Sequence, residues 1–528
     1  MADGSSSTEV IGQGILEAIA RAFPVTCASD EFYYFPQVRL PEPQWSTWDQ
    51  FSPDTITDFA QQVSAWRNEL DRLSAHESDL QVQIDINLLR KLVLTLREQL
   101  SEVRSWEFQP TFYLTLTCIG LAEALESENP AAKHERVTSL PAFLDQSSHN
   151  LKHVPDLFRD IGFEMITDTR NYLVFLGKTL AGLQPVLAAL DRFEDVLKTV
   201  STRDNFLLPQ DLLEHILRYH IYCDVDIQEI NQVLDQEIED MHQTLSREAR
   251  HILSDRNDIH RSKKMWLKAL ESIPALAAIQ EDLIGLYKDE IGRLARHCLN
   301  QGLVSRSLLT SCPVNVDPMP PFLSAIRSAS SYSISPKYPP TSGKFYILTK
   351  YVDDKSHQGY HREYRMTCAH ETYPGHHLLD ASRWSLSRPI RRHIEQPIFY
   401  EGWACFAEEL MRLTEYFSEP SDRLLLARRR LLHAIRGKVD LGLQTGTMDI
   451  PAAARFLEAN GVGRERAMSL ARKYTLNPGY QLCYTLGLHR FLQLFDRYGR
   501  QNLPGFVSEV LNQGETHFSD LEKAFKKY

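Results

Sequence analysis

The sequence has no cysteine pairing pattern, no long apolar run and no basic excess, and each absence removes a class of protein. Its eight cysteines stand at positions 27, 118, 223, 298, 312, 368, 405 and 483, with no C-x-x-C pair among them. That spacing excludes a disulfide framework and a structural zinc knuckle. No run of about 18 apolar residues occurs, so no membrane span is expected. Lys and Arg total 58 against 69 Asp and Glu, a net charge of −11. A broad phosphate-binding face needs the opposite balance, so nucleic acid is not an expected partner. The opening Met-Ala-Asp-Gly and three serines lack the basic and apolar segments of a secretion signal, and a reduced, cytoplasmic protein is the expectation. One local basic run, Arg428-Arg429-Arg430, splays around a helix and reads as a solvated face. No fixed-period repeat points to a solenoid.

What is present is helical texture. A chain of 528 residues outgrows one hydrophobic core, so two lobes are expected. Ser52-Pro53-Asp54 predicts a helix start, with a capping serine before a first-turn proline. It is followed by Ile56, Phe59, Val63, Trp66, Leu70 and Leu73, an apolar stripe at helical spacing. Leu89, Leu92, Leu96 and Leu100 form another stripe, and Ile227, Ile230, Leu234, Ile238 and Met241 a third. Core packing explains all three. The Pro- and Ser-rich stretch 312–344 cannot hold a long helix. It leads into the best strand candidate, 345–352. Helical texture then resumes, with breaks at Pro451, Gly461 to Gly463, Asn477-Pro478-Gly479 and Pro504. The division expected is a disordered tail over 1–10, a helical region over 11–303 and a catalytic region over 304–528. The fold class expected is mostly α, with a small β-sheet beside one special motif.

That motif is Cys368-Ala369-His370-Glu371-Thr372-Tyr373-Pro374-Gly375-His376-His377. H-E-x-x-H works on a helix because residues four apart lie about 40° apart on one face, so both imidazoles reach one ion. Here the next histidine comes six residues after the first, about 240° round a regular helix and on the wrong face. His377 recovers the face but lies roughly 10 Å further along the axis. Pro374-Gly375 supplies a way to break the helix and return His376 to the metal. On spacing alone, a surface pair or satisfied core histidines are equally good readings. Catalytic zinc usually takes three protein ligands. Glu401, opening Glu401-Gly402-Trp403-Ala404, is the candidate third, a carboxylate on a separate downstream helix as in glutamate zincins. Glu408, two turns on, and His377 are candidates to orient the ligands through hydrogen bonds.

H-E-x-Y-P-G-H-H followed by E-G-W-A-x-x-A-E resembles the domain-of-unknown-function 885 family, regarded as distant relatives of helical glutamate-zincin peptidases. The recognisable motifs run from about residue 200 to the end. They include Arg436 with Asp440, Lys473-Tyr474, and Pro478-Gly479 with Tyr484 and Gly487. The resemblance implies a two-lobed, zincin-like architecture and one zinc per chain held by His370, His376 and Glu401. It also implies Glu371 as general base. The chain departs from the family pattern at Gln444, Tyr480, Leu379 and Phe406.

The function expected is a zinc-dependent metallopeptidase acting on short peptides through a metal-activated water. A zinc hydrolase of another amide or ester, or an inactive helical binding protein, are the alternatives. Tyr474 and Tyr484 are candidate catalytic donors to the oxyanion, with ordinary core tyrosines as the bland alternative. Arg436, Tyr480 and Tyr346 are candidate substrate-binding residues. Arg436 would clamp a carboxylate, or pair on the helix surface with Asp440. The strand around Tyr346 would add a peptide at its edge, or pack that edge against helices. The oligomeric state, homo-oligomer included, is left open.

Overall fold

The structure is a computed structural model describing residues 7–28, 35–38, 44–127, 129–221, 225–253, 265–274, 282–334, 340–349 and 360–526. It is mostly helical with small sheets, as expected. Residues 1–6 of the expected tail and 350–352 of the expected strand lie outside the described residues. Residues 7–10 of that tail are helical, because Ile15, Leu16 and Ile19 anchor the helix that contains them.

Two compact units emerge, and their division differs from a cut at residue 303. The first comprises residues 1–220 with 321–327 and 388–395, the second the remainder. The late segment joins the first unit for two local reasons. Ile394–Glu395 pairs antiparallel with Gln37–Val38, and Arg388 and Arg391 both bond the buried Asp85.

The first unit is built from α1 (Ser7–Ala22), α2 (Pro53–His76), α3 (Leu80–Glu98), α4 (Pro110–Glu126), α5 (Pro130–Asn150), α6 (Asp156–Leu176) and α7 (Gln184–Thr199). Ser52 caps α2, its Oγ accepting the Thr55 amide at 3.2 Å. The stripe begun at Ile56 is buried at Phe59, Val63 and Leu70. Aromatic rings fill the core: Phe112 stacks on Phe35 at 5.7 Å and meets Phe51 edge-on at 5.1 Å.

The second unit contains α8 (Ile227–Leu253), α9 (Leu283–Asn300), α10 (Tyr364–Glu371), α11 (His376–Arg383), α12 (Pro397–Leu413), α13 (Pro420–Gln444), α14 (Ile450–Ala459), α15 (Arg464–Tyr474) and α16 (Leu482–Leu494). Helix α13 packs along α8, whose Ile230, Leu234 and Met241 are buried. Helix α12 crosses α16 at two glycines. A Cβ on Gly402 would lie 2.5 Å from the Gly487 Cα, and one on Gly487 would lie 2.2 Å from the Ile398 carbonyl oxygen. Only glycine permits that approach, which sets the residues beside Gly487 against Glu401.

A three-stranded sheet lies in the same unit, with β1 (Val314–Pro318), β2 (Ser331–Ile334) and β3 (Gly343–Ile347) in the order β1-β3-β2. Strand β3, which carries Tyr346, is therefore central. It pairs in parallel with β1 and antiparallel with β2. Both of its edges are taken, so the expected edge addition of a peptide at Tyr346 is unavailable.

Candidate metal centre

The histidine motif is a helix, a break and a second helix. Helix α10 ends at Glu371, and the chain turns through Thr372, Tyr373 and Pro374 before α11 starts at His376. Gly375 is fixed by a close approach, since a Cβ there would stand 1.8 Å from the His370 carbonyl oxygen. The indole of Trp403, fully buried, donates to the carbonyls of Pro374 at 3.0 Å and Gly375 at 3.2 Å. The break thus undoes the off-face rotation of a continuous helix. The rings of His370 and His376 come to 4.8 Å, perpendicular to one another.

Glu401, one turn into α12, completes the group. Its Oε2 faces His370 Nε2 at 3.5 Å and His376 Nε2 at 3.7 Å. Its Oε1 accepts the Tyr480 hydroxyl at 2.6 Å and the Tyr484 hydroxyl at 3.1 Å. One oxygen is held by two phenols, while the other is buried and has no hydrogen-bond donor. One donor atom from each of His370, His376 and Glu401 lies within 4.8 Å of the other two. The residues therefore fit a cation with mixed imidazole and carboxylate preference.

His370 is held from behind. Its Nδ1 donates to Glu408 Oε1 at 2.9 Å, which leaves Nε2 as the basic nitrogen facing Glu401. Arg429 clamps the same carboxylate with two bonds of 2.9 Å. Burial alone would raise the Glu408 carboxyl, but Arg429 and His370 bring it down to about 2. The Glu401 carboxyl likewise falls well below the usual range, the pull of both histidines overcoming its burial. His370 is shifted upward despite its burial, through Cys405, Glu401 and Glu408. All three directions favour positive charge between the two carboxylates. Burial raises the carboxyl of Glu371, the last residue of α10, against the pull of His370 and His376.

Other candidates take different places. Tyr484 and Tyr480 both reach Glu401, so Tyr480 is bonded to the candidate ligand rather than placed apart to receive substrate. Tyr474 is buried beside Arg436, whose guanidinium lies 5.9 Å from its ring, and makes no contact with His370, His376 or Glu401 among the described residues. His377 faces the sheet instead: Nε2 donates to the Cys312 carbonyl at 2.8 Å, and Nδ1 accepts from the Tyr332 hydroxyl at 3.0 Å. Helix α11 sends adjacent side chains about 100° apart, so His376 and His377 cannot share one site. Asp440 does not pair with Arg436 at the helix surface. It is fully buried and accepts the amides of Gly479 at 3.1 Å and Gln481 at 2.9 Å, fixing the turn that delivers Tyr480.

The arginine run is not a solvated face either. Arg429 serves Glu408, Arg430 bonds Glu237 and Glu409, and Arg428 bonds Glu363. Acidic side chains from neighbouring elements meet each direction of the run. Gln444 and Phe406 have structural roles, since Gln444 donates to the Tyr474 and Thr475 carbonyls and Phe406 stacks on Phe491. Sequence reasoning missed Arg429, Cys405, His433 and Tyr400. Tyr400 stacks on the His376 ring at 3.9 Å, and Cys405 Sγ lies 3.4 Å from His433 Nδ1.

A family model described as a bacterial protein of unknown function, DUF885, matches residues 176–524. Comparison with curated proteins returns no match. A solved structure described as a candidate lipoprotein of unknown function from Shewanella oneidensis superposes with a TM-score of 0.77 at 14% identity, covering 98% of this chain and 99% of that one. A second, described as a candidate lipoprotein from Colwellia psychrerythraea, gives 0.75 at 16% identity, covering 99% of each. These likenesses concern the fold.

Proposed function

The chain belongs to the DUF885 family of bacterial proteins of unknown function, and from its site we propose that it is a zinc-dependent metallopeptidase cleaving short peptides. The observation that carries the reading is the buried Oε2 of Glu401, which has no donor and faces the Nε2 atoms of His370 and His376. A buried carboxylate oxygen in that state is costly unless a cation meets it. His370, His376 and Glu401 would hold the zinc, one per chain, within a zincin-like architecture. Zinc, when bound, supplies a Lewis acid that polarises a carbonyl and makes water a stronger nucleophile at neutral pH.

The chain's own groups divide the remaining work. Glu408 and Arg429 fix the His370 ring and its tautomer. Tyr480 and Tyr484 hold Glu401 by one oxygen and leave the other directed at the histidines. Glu371, next to His370 at the end of α10, takes the proton of the attacking water on a carboxylate oxygen and passes it to the departing nitrogen. The Tyr484 phenol has one O–H, and it serves a developing oxyanion by turning that donor from Glu401, which the shorter Tyr480 bond continues to hold.

The test is a peptide-library digest comparing wild type with Glu371→Gln. Amine release lowered about 10²- to 10⁴-fold in the variant, at equal metal content, is the expected outcome. Bound metal with no release above the variant would sink the peptidase reading and favour another amide or ester. Location is open to direct test as well. The free buried thiols of residues such as Cys298 and Cys368 suit a reducing cytoplasm, whereas the lipoprotein descriptions of the structural neighbours favour the envelope. We propose the cytoplasm, and cell fractionation decides.

A further inference from the structure

Arg436 is a cation with no carboxylate bonded to it among the described residues, beside a site built to manage charge. It projects from α13 two turns after Arg429, on nearly the same face. Arg429 is matched by Glu408 and approaches Glu363 at 3.4 Å. Arg436 by contrast donates to a neutral partner, Gln481 Oε1, at 2.8 Å, and makes no ion pair among the described residues. Its guanidinium lies 5.0 Å from the ring centroid of Tyr484, whose hydroxyl reaches Glu401. Burial works against its charge, while the oxygens of Tyr474, Tyr484, Tyr480 and Glu401 favour it, and Asp440 interacts with it as well.

The charge count sharpens this. With a divalent cation between the histidines, Glu401 and Glu371 are offset and Glu408 is already matched. Asp440, the carboxylate that also feels Arg436, gives its two oxygens to the Gly479 and Gln481 amides and leaves the fork unbonded by any carboxylate among the described residues. A half-buried guanidinium in that state favours an incoming anion, and its fork suits a carboxylate with two parallel bonds. We infer that Arg436 receives a carboxylate of the substrate, the free C-terminus of a short peptide being the form that brings the scissile carbonyl to Glu401. The inference rests on the peptidase reading of the site.

Three tripeptides separate the sources of carboxylate: a free acid, its C-terminal amide, and an amide bearing glutamate at the last position. Wild type should prefer the free acid over the plain amide by about 10- to 100-fold in kcat/KM, mostly through KM, the range of a charge-assisted pair. In Arg436→Ala the acid-to-amide ratio should fall toward one. Arg436→Lys, which keeps charge and bulk but lacks the fork, should lose most of it, and decides the matter if the alanine variant does not fold. An unchanged ratio, or an equal loss on all three peptides, overturns the inference. Preference for the glutamyl amide over the free acid overturns the C-terminal assignment. A second readout is calorimetric affinity of the full-length Glu371→Gln protein for the acid and the amide, with the same discrimination expected and its loss on adding Arg436→Ala. Discrimination in binding without any hydrolysis retires the peptidase reading and keeps the carboxylate seat. Hydrolysis without discrimination does the reverse.

Discussion

Both compact units bury aromatic rings, but among the described residues only the second gathers buried histidines and carboxylates around one point, as His370, His376 and Glu401 do. The first fills its core with rings, among them Phe23, Phe35, Phe51 and Phe112, each at most 2% exposed. The second buries His370, His376, Glu401, Glu408 and Glu409 within 9% exposure. Apolar burial stabilises a fold on its own account, whereas a buried ionic group costs stability unless each member is matched. A region that carries such a cost through Glu408, Arg429 and Arg430 is spending stability on a site. The contrast teaches where to look for function, and substitutions on each side can break it.

The largest difference should come from deleting one core ring and one ligand. Phe112→Ala should cost about 3–5 kcal/mol in urea unfolding and leave metal stoichiometry untouched. His370→Ala should abolish metal binding while costing only about 1–3 kcal/mol, the scale of one lost buried hydrogen-bond partner. If both lose stability equally and both keep metal, the contrast is wrong.

Acid should expose a third kind of burial in the second unit. His377 is pushed down to about 4 by burial, below its ordinary 6.5. The stability it lends is therefore full above about pH 6.5 and is lost as pH falls through 4, by up to about 3 kcal/mol. Unfolding midpoints between pH 7.5 and 4 measure this, and His377→Gln should flatten the slope. A slope unaffected by that substitution would remove His377 from the account.

Glu408→Gln should weaken metal binding about 10- to 100-fold by loosening the His370 ring, read by competition with a chelator. The smallest effect belongs to Tyr480→Phe, which removes one of two phenols from Glu401 Oε1. It should weaken metal binding no more than about tenfold. A larger loss there than in Glu408→Gln would invert the hierarchy proposed for the site.

The first unit was the more legible in sequence. Ser52 and the Ile56, Phe59, Val63 stripe predict α2 at its start and on its buried face, because capping and apolar periodicity act locally. The three ligand candidates were legible as residue types, and Pro374-Gly375 as the place of a break. The surroundings were harder to read because they are assembled from separate helices. A signal was nevertheless present. Glu401, Cys405 and Glu408 recur at spacings of four and three, and Arg429, His433, Arg436 and Asp440 at four, three and four. These are polar stripes with the period of a buried helix face, the same periodicity that marks a core but carrying charge. Reading Arg428-Arg429-Arg430 as one block hid the stripe that runs through Arg429. Edge addition at Tyr346 is excluded for another reason: strand order is nonlocal, and nothing in 345–349 reveals that β1 and β2 occupy both edges.

The central claim is that this polar core is a metal centre, and elemental analysis of the purified chain tests it most directly. The account predicts about one zinc per chain in wild type and none in His370→Ala or Glu401→Ala, with both variants folded by circular dichroism. Wild-type protein reconstituted with zinc that retains none, or variants that retain as much as wild type, would contradict it.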